Sequence, residues 1–349
     1  MRLTYPSTGA TGYIGGDTLY AIANTYPDLD ITALVRNSDK GAKVASQYAK
    51  IKLVYGDLDS AELLTTESAK ADIVVHTANA DHPGAAIAIV AGLAQKQTPG
   101  YFIHTSGTGI VASADTERKT YGEQTAHVYN DWDGIKEITS LPDTFEHRNV
   151  DKIVLSAAEK NPENIFTAIV CPPCIYGPGR GPDNQRSAQV YELSKATLSR
   201  RKGFQVNAGQ NIWHEVHVQD LSNVYLGLVT AALQPGGGKA TWNEQGYYFA
   251  ENGEFVWGDI SSKVAKIAKD KKLIETAEID SLPVEEANKL VKAAGFLLGT
   301  NSRCKAVRAR ELLGWVPKGK SLQELLPEIV QDEAKALGLI KGHAEKVGA

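Results

Sequence analysis

The octapeptide Thr8-Gly9-Ala10-Thr11-Gly12-Tyr13-Ile14-Gly15 constrains this chain more than any other feature, because it joins a short apolar run at 2–7 to a helical stretch at 13–25. Glycines at these intervals between a strand and a helix let the backbone turn sharply, let a phosphate approach, and let the helix lie close on the sheet. Gly9 serves the turn, Gly12 leaves room for a pyrophosphate, and Gly15 brings the helix against the sheet. The N–H groups of Gly12, Tyr13 and Ile14 then point at the anion from the positive end of the helix. Pro6 departs from an unbroken apolar strand: it removes one ladder donor and predicts a local distortion.

Downstream, Val- and Ile-rich runs at 31–36, 51–55, 72–76, 101–106 and 165–171 alternate with helix-like stretches at 39–49, 60–70, 84–96 and 148–160. Short continuous apolar runs suit strands buried on both faces, and the helices between them suit parallel crossovers. The expected fold class is α/β, a doubly wound parallel sheet of the Rossmann type, with its ligand crevice beyond the carboxyl ends of the strands. After Gly177 the regularity fades. There, 187–201 reads as an amphipathic helix, 204–220 as two strands around an Asn-Ala-Gly turn, and 220–233, 257–271, 283–295, 304–313 and 321–337 as further helices. The expected organisation is a dinucleotide-binding domain at 1–177, with 216–250 returning to it, and a smaller mixed α/β substrate lobe at 178–215 and 251–349.

Charge and cysteine content narrow the function classes. The net charge of -4 is spread along 349 residues without a basic run, so a small-molecule substrate is expected and a nucleic-acid partner is not. No stretch has the apolar length of a membrane span, and the first residues lack the apolar core of a signal peptide, so the chain reads as cytoplasmic, with a homodimer compatible. Cys171, Cys174 and Cys304 are too few for a disulfide framework, and Cys171-Pro172-Pro173-Cys174 reads as buried thiols at a strand end. His214, Glu215 and His217 do not make a metal site, because strand side chains alternate and 214 and 217 point to opposite faces; no metal is expected. His214 and Trp213 are instead candidates to line the substrate pocket.

Arg36 ends the second strand, where dinucleotide sites selective for NAD carry a carboxylate for the ribose 2′-hydroxyl. A planar, permanently charged guanidinium there favours a 2′-phosphate, with Lys40 or Lys43 adding charge, so NADP(H) is the expected cofactor. Asp39 keeps NAD(H) as the alternative.

Thr8–Gly15 resembles the TGxxGxxG signature of the extended and atypical short-chain dehydrogenase/reductase superfamily, a group that includes epimerase/dehydratase-like and NmrA-like members. Further segments fit in the same order: Gly56-Asp57-Leu58, His76-Thr77-Ala78, His104-Thr105-Ser106-Gly107, Pro172 to Pro178, Val216 to Leu221 and Leu312 to Pro317. The resemblance implies a cofactor site built from Gly9, Thr11, Gly12, Tyr13, Ile14, Gly15 and Arg36, with Asp57 and Leu58 at the adenine. It extends that site through Thr77, Ala78, Thr105 and Lys152, with Pro172 and Ile175 flanking the nicotinamide.

In this superfamily a Tyr-x-x-x-Lys pair handles the proton, and a Ser or Thr orients the substrate carbonyl. Here Lys152 matches the lysine while Arg148 stands at the tyrosine's place, and arginine, charged at every accessible pH, cannot cycle a proton. Arg148 and Lys152 share one helix face and would repel unless an anion or a carboxylate lies between them. Gly107 falls near the usual hydroxyl position, leaving Ser106, Thr105 and Thr108 as substitutes. Tyr121, Tyr129, Tyr176 and His147 are the candidate replacement acids, Tyr176 foremost because it follows the sixth strand.

These residues imply an NADP(H)-dependent oxidoreductase that acts on a small carbonyl-type substrate without the usual tyrosine. The alternatives are a non-catalytic NADP(H)-sensing regulator resembling the NmrA-like group, or a sugar-nucleotide epimerase or dehydratase.

Overall fold

The computed structural model describes residues 8–340. The strand expected at 2–7, with Pro6, lies outside the described residues. From the glycine turn the chain runs α1 (Tyr13–Thr25), β1 (Thr32–Val35), α2 (Ser38–Gln47), β2 (Lys52–Tyr55), α3 (Ala61–Lys70), β3 (Ile73–His76), α4 (Pro83–Leu93) and β4 (Gly100–Thr105). It continues through α5 (Gly109–Arg118), β5 (Tyr129–Asn130), α6 (Ile135–Thr139), α7 (Arg148–Lys160), β6 (Ile165–Cys171) and β7 (Cys174–Tyr176). Periodicity alone places no element between 107 and 147, where α5, β5 and α6 form.

β1 pairs parallel with β2, and β3, β4, β6 and β10 (Tyr247–Phe249) form a parallel sheet in the order β10-β6-β4-β3. Every residue of β1, β3 and β4 is buried, which explains why these strands read as uninterrupted apolar runs. In β2, by contrast, Lys52 and Tyr55 are exposed. Register places His76 beside His104, so the two imidazoles stack inside the sheet with ring centroids 5.1 Å apart.

The rest of the chain forms α8 (Gln189–Arg200), β8 (Gly203–Val206), β9 (Ile212–His217) and α9 (Val218–Ala232), then β11 (Glu254–Val256), α10 (Trp257–Asp270), β12 (Ile279–Leu282) and α11 (Val284–Leu290). It ends with α12 (Ala294–Gly299), β13 (Cys304–Lys305), α13 (Arg308–Leu313) and α14 (Leu322–Ala336), the last opened by a capping box between Ser321 and Glu324. The two strands around Asn207–Gly209 do not form a hairpin. Asn207 and Gly209 both have positive φ, and the chain leaves β8, which pairs with β12, for β9, which pairs with β7 and β11. The helix expected at 283–295 is broken, because Ala293 adopts a left-handed conformation between α11 and α12.

Two apolar cores result. One is centred on the parallel sheet and includes Leu19, Val74, Phe102, Ile169, Leu228 and Phe249; residues from Cys304 to Trp315 also pack into it. The other gathers Leu193, Phe204, Trp257, Ile260, Leu326 and Val330 around α8, α10 and α14. Among the described residues no helix is long and apolar enough to cross a membrane.

Candidate active site

At the first turn, Gly12 N–H donates to the Gly9 carbonyl at 2.7 Å and α1 begins at Tyr13. A Cβ on Gly9 would lie 2.5 Å from the Thr77 carbonyl oxygen, and one on Gly15 would lie 2.2 Å from the Gly9 carbonyl oxygen and 2.4 Å from Thr77 Oγ1. Only hydrogens at these positions let the turn, α1 and the end of β3 converge. No side chain caps α1 and no acid sits in its first turn. That is the arrangement an anionic group satisfies at a helix start.

Beside this turn lies a cleft of about 690 Å³ lined by Gly9, Thr11 and Gly12 at one wall and by Arg36, Asp57, Leu58, Thr77 and Ala78 along the strand ends. A second chamber of about 490 Å³ shares Thr77 and Asn184 with it and is walled by Tyr13, Ile14, Pro173 and Ile175. Together they run from Arg36 across the helix start to Ile175. Arg36 makes no ion pair among the described residues. Lys40 and Lys43 are both engaged by Asp183, so of these three cations Arg36 alone lines the cleft without a carboxylate among the described residues. Asp57 accepts from Ser60 Oγ at 2.8 Å and from the Asp59 N–H at 3.1 Å, and these hydrogen bonds hold its carboxyl below the usual range.

The segment after β7 straps over the glycine turn. Tyr13 OH donates to the Gly177 carbonyl at 2.5 Å, Arg180 pairs with the fully buried Asp17 through Nε at 3.0 Å and Nη2 at 2.6 Å, and Asn184 N–H donates to Thr11 O at 3.2 Å. Asp183 belongs to the same strap, so the two lysines of α2 hold it down from the far side.

Several expected site residues lie elsewhere. Lys152 is exposed, pairs with Asp143 at 2.7 Å and faces a separate cavity on the outer side of α7, not the cleft. Arg148 faces that same cavity, its guanidinium donating to the carbonyls of Leu141 and Thr139. Tyr176 is buried with its hydroxyl on the Lys320 carbonyl at 2.9 Å, and burial pushes its pKa up, so it is structural and not the proton donor. Thr105 bonds Tyr225 at 2.6 Å inside the sheet and does not line the cleft. Pro172 likewise turns away from the chamber, and Pro173 takes its place in the wall. Ser106 is buried and donates to Asp151 at 3.1 Å, while Thr108 accepts from Ser302 at 2.5 Å. Trp213 donates to the Thr300 carbonyl and His214 accepts from the Cys304 N–H, so both are committed to packing.

What stands at the strand ends instead is His147. It occupies the N-cap of α7 in a left-handed conformation (φ 65°), with Nδ1 2.7 Å from Asp81 Oδ1. Asp81 lies in the turn that follows the cleft residues Thr77, Ala78 and Asn79. The Nε2 edge of the ring lies over Gly107 and Gly109, where added Cβ atoms would come within 2.9 and 3.1 Å of it. Burial works against the imidazolium, but hydrogen bonding and charge from Asp81, with Asp151 and Glu146 adding to it, raise the His147 pKa overall. Asp81 is lowered in turn by its hydrogen bond to His147. One turn further along α7, Asp151 is fully buried beneath this site, accepting from Ser106 Oγ and from Tyr247 OH at 3.0 Å, and desolvation raises its pKa to about 6.

The glycine at 107 and the imidazole at 147 are therefore linked. The imidazole fills the volume beside Gly107, and a hydroxyl-bearing residue at 107 would collide with it. Sequence spacing includes His147 among candidates but gives no signal for Asp81, which arrives from a different loop.

Comparison with known proteins bears on the family and the fold. Residues 9–139 match a family model described as NAD(P)H-binding. A protein of Acremonium sp. described as oxidase ucsJ is 38% identical over 341 residues, covering 95% of this chain and 98% of its own. Among solved structures, dTDP-glucose 4,6-dehydratase of Bacillus anthracis in complex with NAD superposes with a TM-score of 0.64 at 15% identity, over 96% of this chain and 97% of its own. UDP-glucose 4-epimerase of Thermotoga maritima with UDP-glucose also gives 0.64 at 15% identity, over 97% and 100%.

Proposed function

The chain belongs to the NAD(P)-binding extended short-chain dehydrogenase/reductase superfamily, and on that premise we propose that it is an NADP(H)-dependent oxidoreductase acting on the alcohol–carbonyl couple of a small organic substrate. The observation that carries this reading is the His147–Asp81 pair, with Asp81 between Asn79 and His82 of the cleft wall and the His147 ring over Gly107 after β4. The sheet-centred core serves the cofactor in this reading, and the second core shapes the substrate side. The word oxidase in the Acremonium relative's description favours the oxidative direction.

A bound nicotinamide supplies the hydride acceptor or donor. The protein's part is positioning and proton handling. Asp81 accepts the Nδ1–H of His147 and so fixes the tautomer that presents Nε2 as an acceptor over Gly107. In oxidation, Nε2 takes the hydroxyl proton of the substrate, and the Asp81 carboxylate stabilises the imidazolium that forms. In reduction, the imidazolium returns that proton to the carbonyl oxygen. The arrangement replaces tyrosine by an imidazole whose pKa the Asp81 carboxylate raises above its ordinary value, a group suited to both accepting and returning a proton.

The test is reduced-nicotinamide absorbance with NADP+ and a panel of alcohols, and with NADPH and the matching carbonyls. His147→Gln is expected to lower turnover by about 10²- to 10⁴-fold, with NADP+ affinity retained. Turnover unchanged in His147→Gln would remove His147 from the mechanism. Cofactor binding without turnover on any substrate would favour the sensing regulator.

A further inference from the structure

The outer face of α7 carries a feature that the proposed reaction does not use. Arg148, Lys152, Leu155, Ser156 and Glu159 recur at three- and four-residue intervals, hence on one side of the helix, and they wall a cavity of about 400 Å³ closed by α6 and the turn at 244–245. It shares no lining residue with either chamber of the dinucleotide cleft.

Arg148 is only 7% exposed. Its Nε and Nη2 donate to the carbonyls of Leu141 and Thr139, but among the described residues Nη1 has no partner and no carboxylate hydrogen-bonds the guanidinium. Asp143 and Asp151 reach it only through their longer-range fields. A buried guanidinium left without a carboxylate is costly, and its planar fork matches a carboxylate or phosphate. Lys136, exposed at the mouth, makes no ion pair among the described residues, and Lys152 adds a second charge there while held by Asp143. Ile135 and Leu155 supply apolar wall, whereas Glu159 and Glu244 on the same lining oppose a large polyanion.

We propose that this cavity is a binding site for a small organic anion, a carboxylate or phosphate monoester whose charged head meets Arg148 and whose carbon frame lies against Ile135 and Leu155. The site is independent of the dinucleotide and of the reaction at His147.

The experiment follows thermal unfolding of the full chain saturated with NADP+, at constant ionic strength, against inorganic phosphate in one arm and butyrate in the other. A ligand that binds only the folded state raises Tm in a saturable way. Saturable stabilisation by either anion is expected, with butyrate favoured over phosphate if the apolar wall contributes. Arg148→Gln should abolish that response. Should Arg148→Gln fail to fold, the exposed Lys136→Glu replaces it, with an expected weakening of about tenfold or more. No saturable response to either anion, or the same response in the deciding variant, would overturn the proposal.

Discussion

The two ends of the cleft are made of different materials. At the proposed phosphate end the work falls to backbone: a helix start without a side-chain cap, and glycines at 9 and 15 whose missing side chains let the turn close on Thr77. At the reaction end it falls to side chains from separate loops, His147 and Asp81, set around the empty volume of Gly107. A site made of backbone leaves its residues almost no latitude. A site made of side chains can be rebuilt, provided that volume gained at one position is surrendered at another.

The largest effect should come from the end with no latitude. Gly15→Val would drive a side chain into the Gly9 carbonyl and Thr77, neither of which can withdraw without moving the turn or β3. A cost of about 3 kcal/mol or more is expected, since packed backbone cannot relax around an added branch. Tryptophan-fluorescence titration with NADP+ should show affinity lost by at least about 100-fold, beside a lower Tm. Unimpaired binding in Gly15→Val would mean that the diphosphate rests elsewhere.

Gly107→Ser probes the other end. Its Cβ meets the tip of a side chain and not backbone, so the imidazole can swing away and the fold survives. Turnover should fall by about 10- to 100-fold, because the proton acceptor is misplaced, while NADP+ affinity stays as in the parent. The double variant Gly107→Ser, His147→Tyr sets a phenol beside the new hydroxyl and should recover part of the loss. Failure of Gly107→Ser to alter turnover would show that the two positions are not linked.

This contrast also explains what the sequence discloses. The alternating apolar runs and the glycine turn expose the sheet, its crossovers and the phosphate end, since backbone geometry imposes residue types that can be read directly. The reaction end is hidden by one residue of helix phase. Spacing from β6 aligns Arg148 and Lys152 with the superfamily pair, whereas the structure brings His147 and Asp151 to the inner side. A slip of one residue turns a side chain by about 100° on a helix, enough to send Arg148 and Lys152 to the outer cavity. His147 itself stands just before that helix in a left-handed conformation, which composition does not announce. Asp81 and the strap around Asp183 meet their partners across 66 and 143 residues of chain, and no local pattern encodes such pairings.

Between these extremes lies Arg36, a side chain at the backbone-built end. It stands in the cleft without a protein carboxylate, while Asp183 occupies the lysines of α2. Arg36→Ala should weaken NADP+ by about tenfold, the loss of one charge-assisted contact, and leave NAD+ affinity nearly unchanged. Equal affinity for NADP+ in parent and variant would transfer 2′-phosphate recognition away from Arg36.

The smallest effect is a titration, and it tests the side-chain end alone. His147 has a folded pKa raised above the unfolded value of about 6.5. Its contribution to stability is therefore fully present below that unfolded value and is lost as pH rises through the folded pKa. Asp81, lowered by the same hydrogen bond, contributes above its unfolded value and loses that contribution as pH falls through its folded pKa. The pair is strongest in mildly acidic solution, where both partners are charged. Asp81 is more than a third exposed, so screening by water limits the difference between parent and Asp81→Asn to a few tenths of a kcal/mol, measurable by urea unfolding across pH. Catalysis should follow the opposite sense in the oxidative direction. Nε2 must be unprotonated to accept the substrate proton, so the rate should rise with pH through the His147 pKa, and Asp81→Asn should move that inflection to lower pH. An inflection that stays in place in Asp81→Asn would show that the carboxylate merely packs beside the ring and does not set its proton affinity.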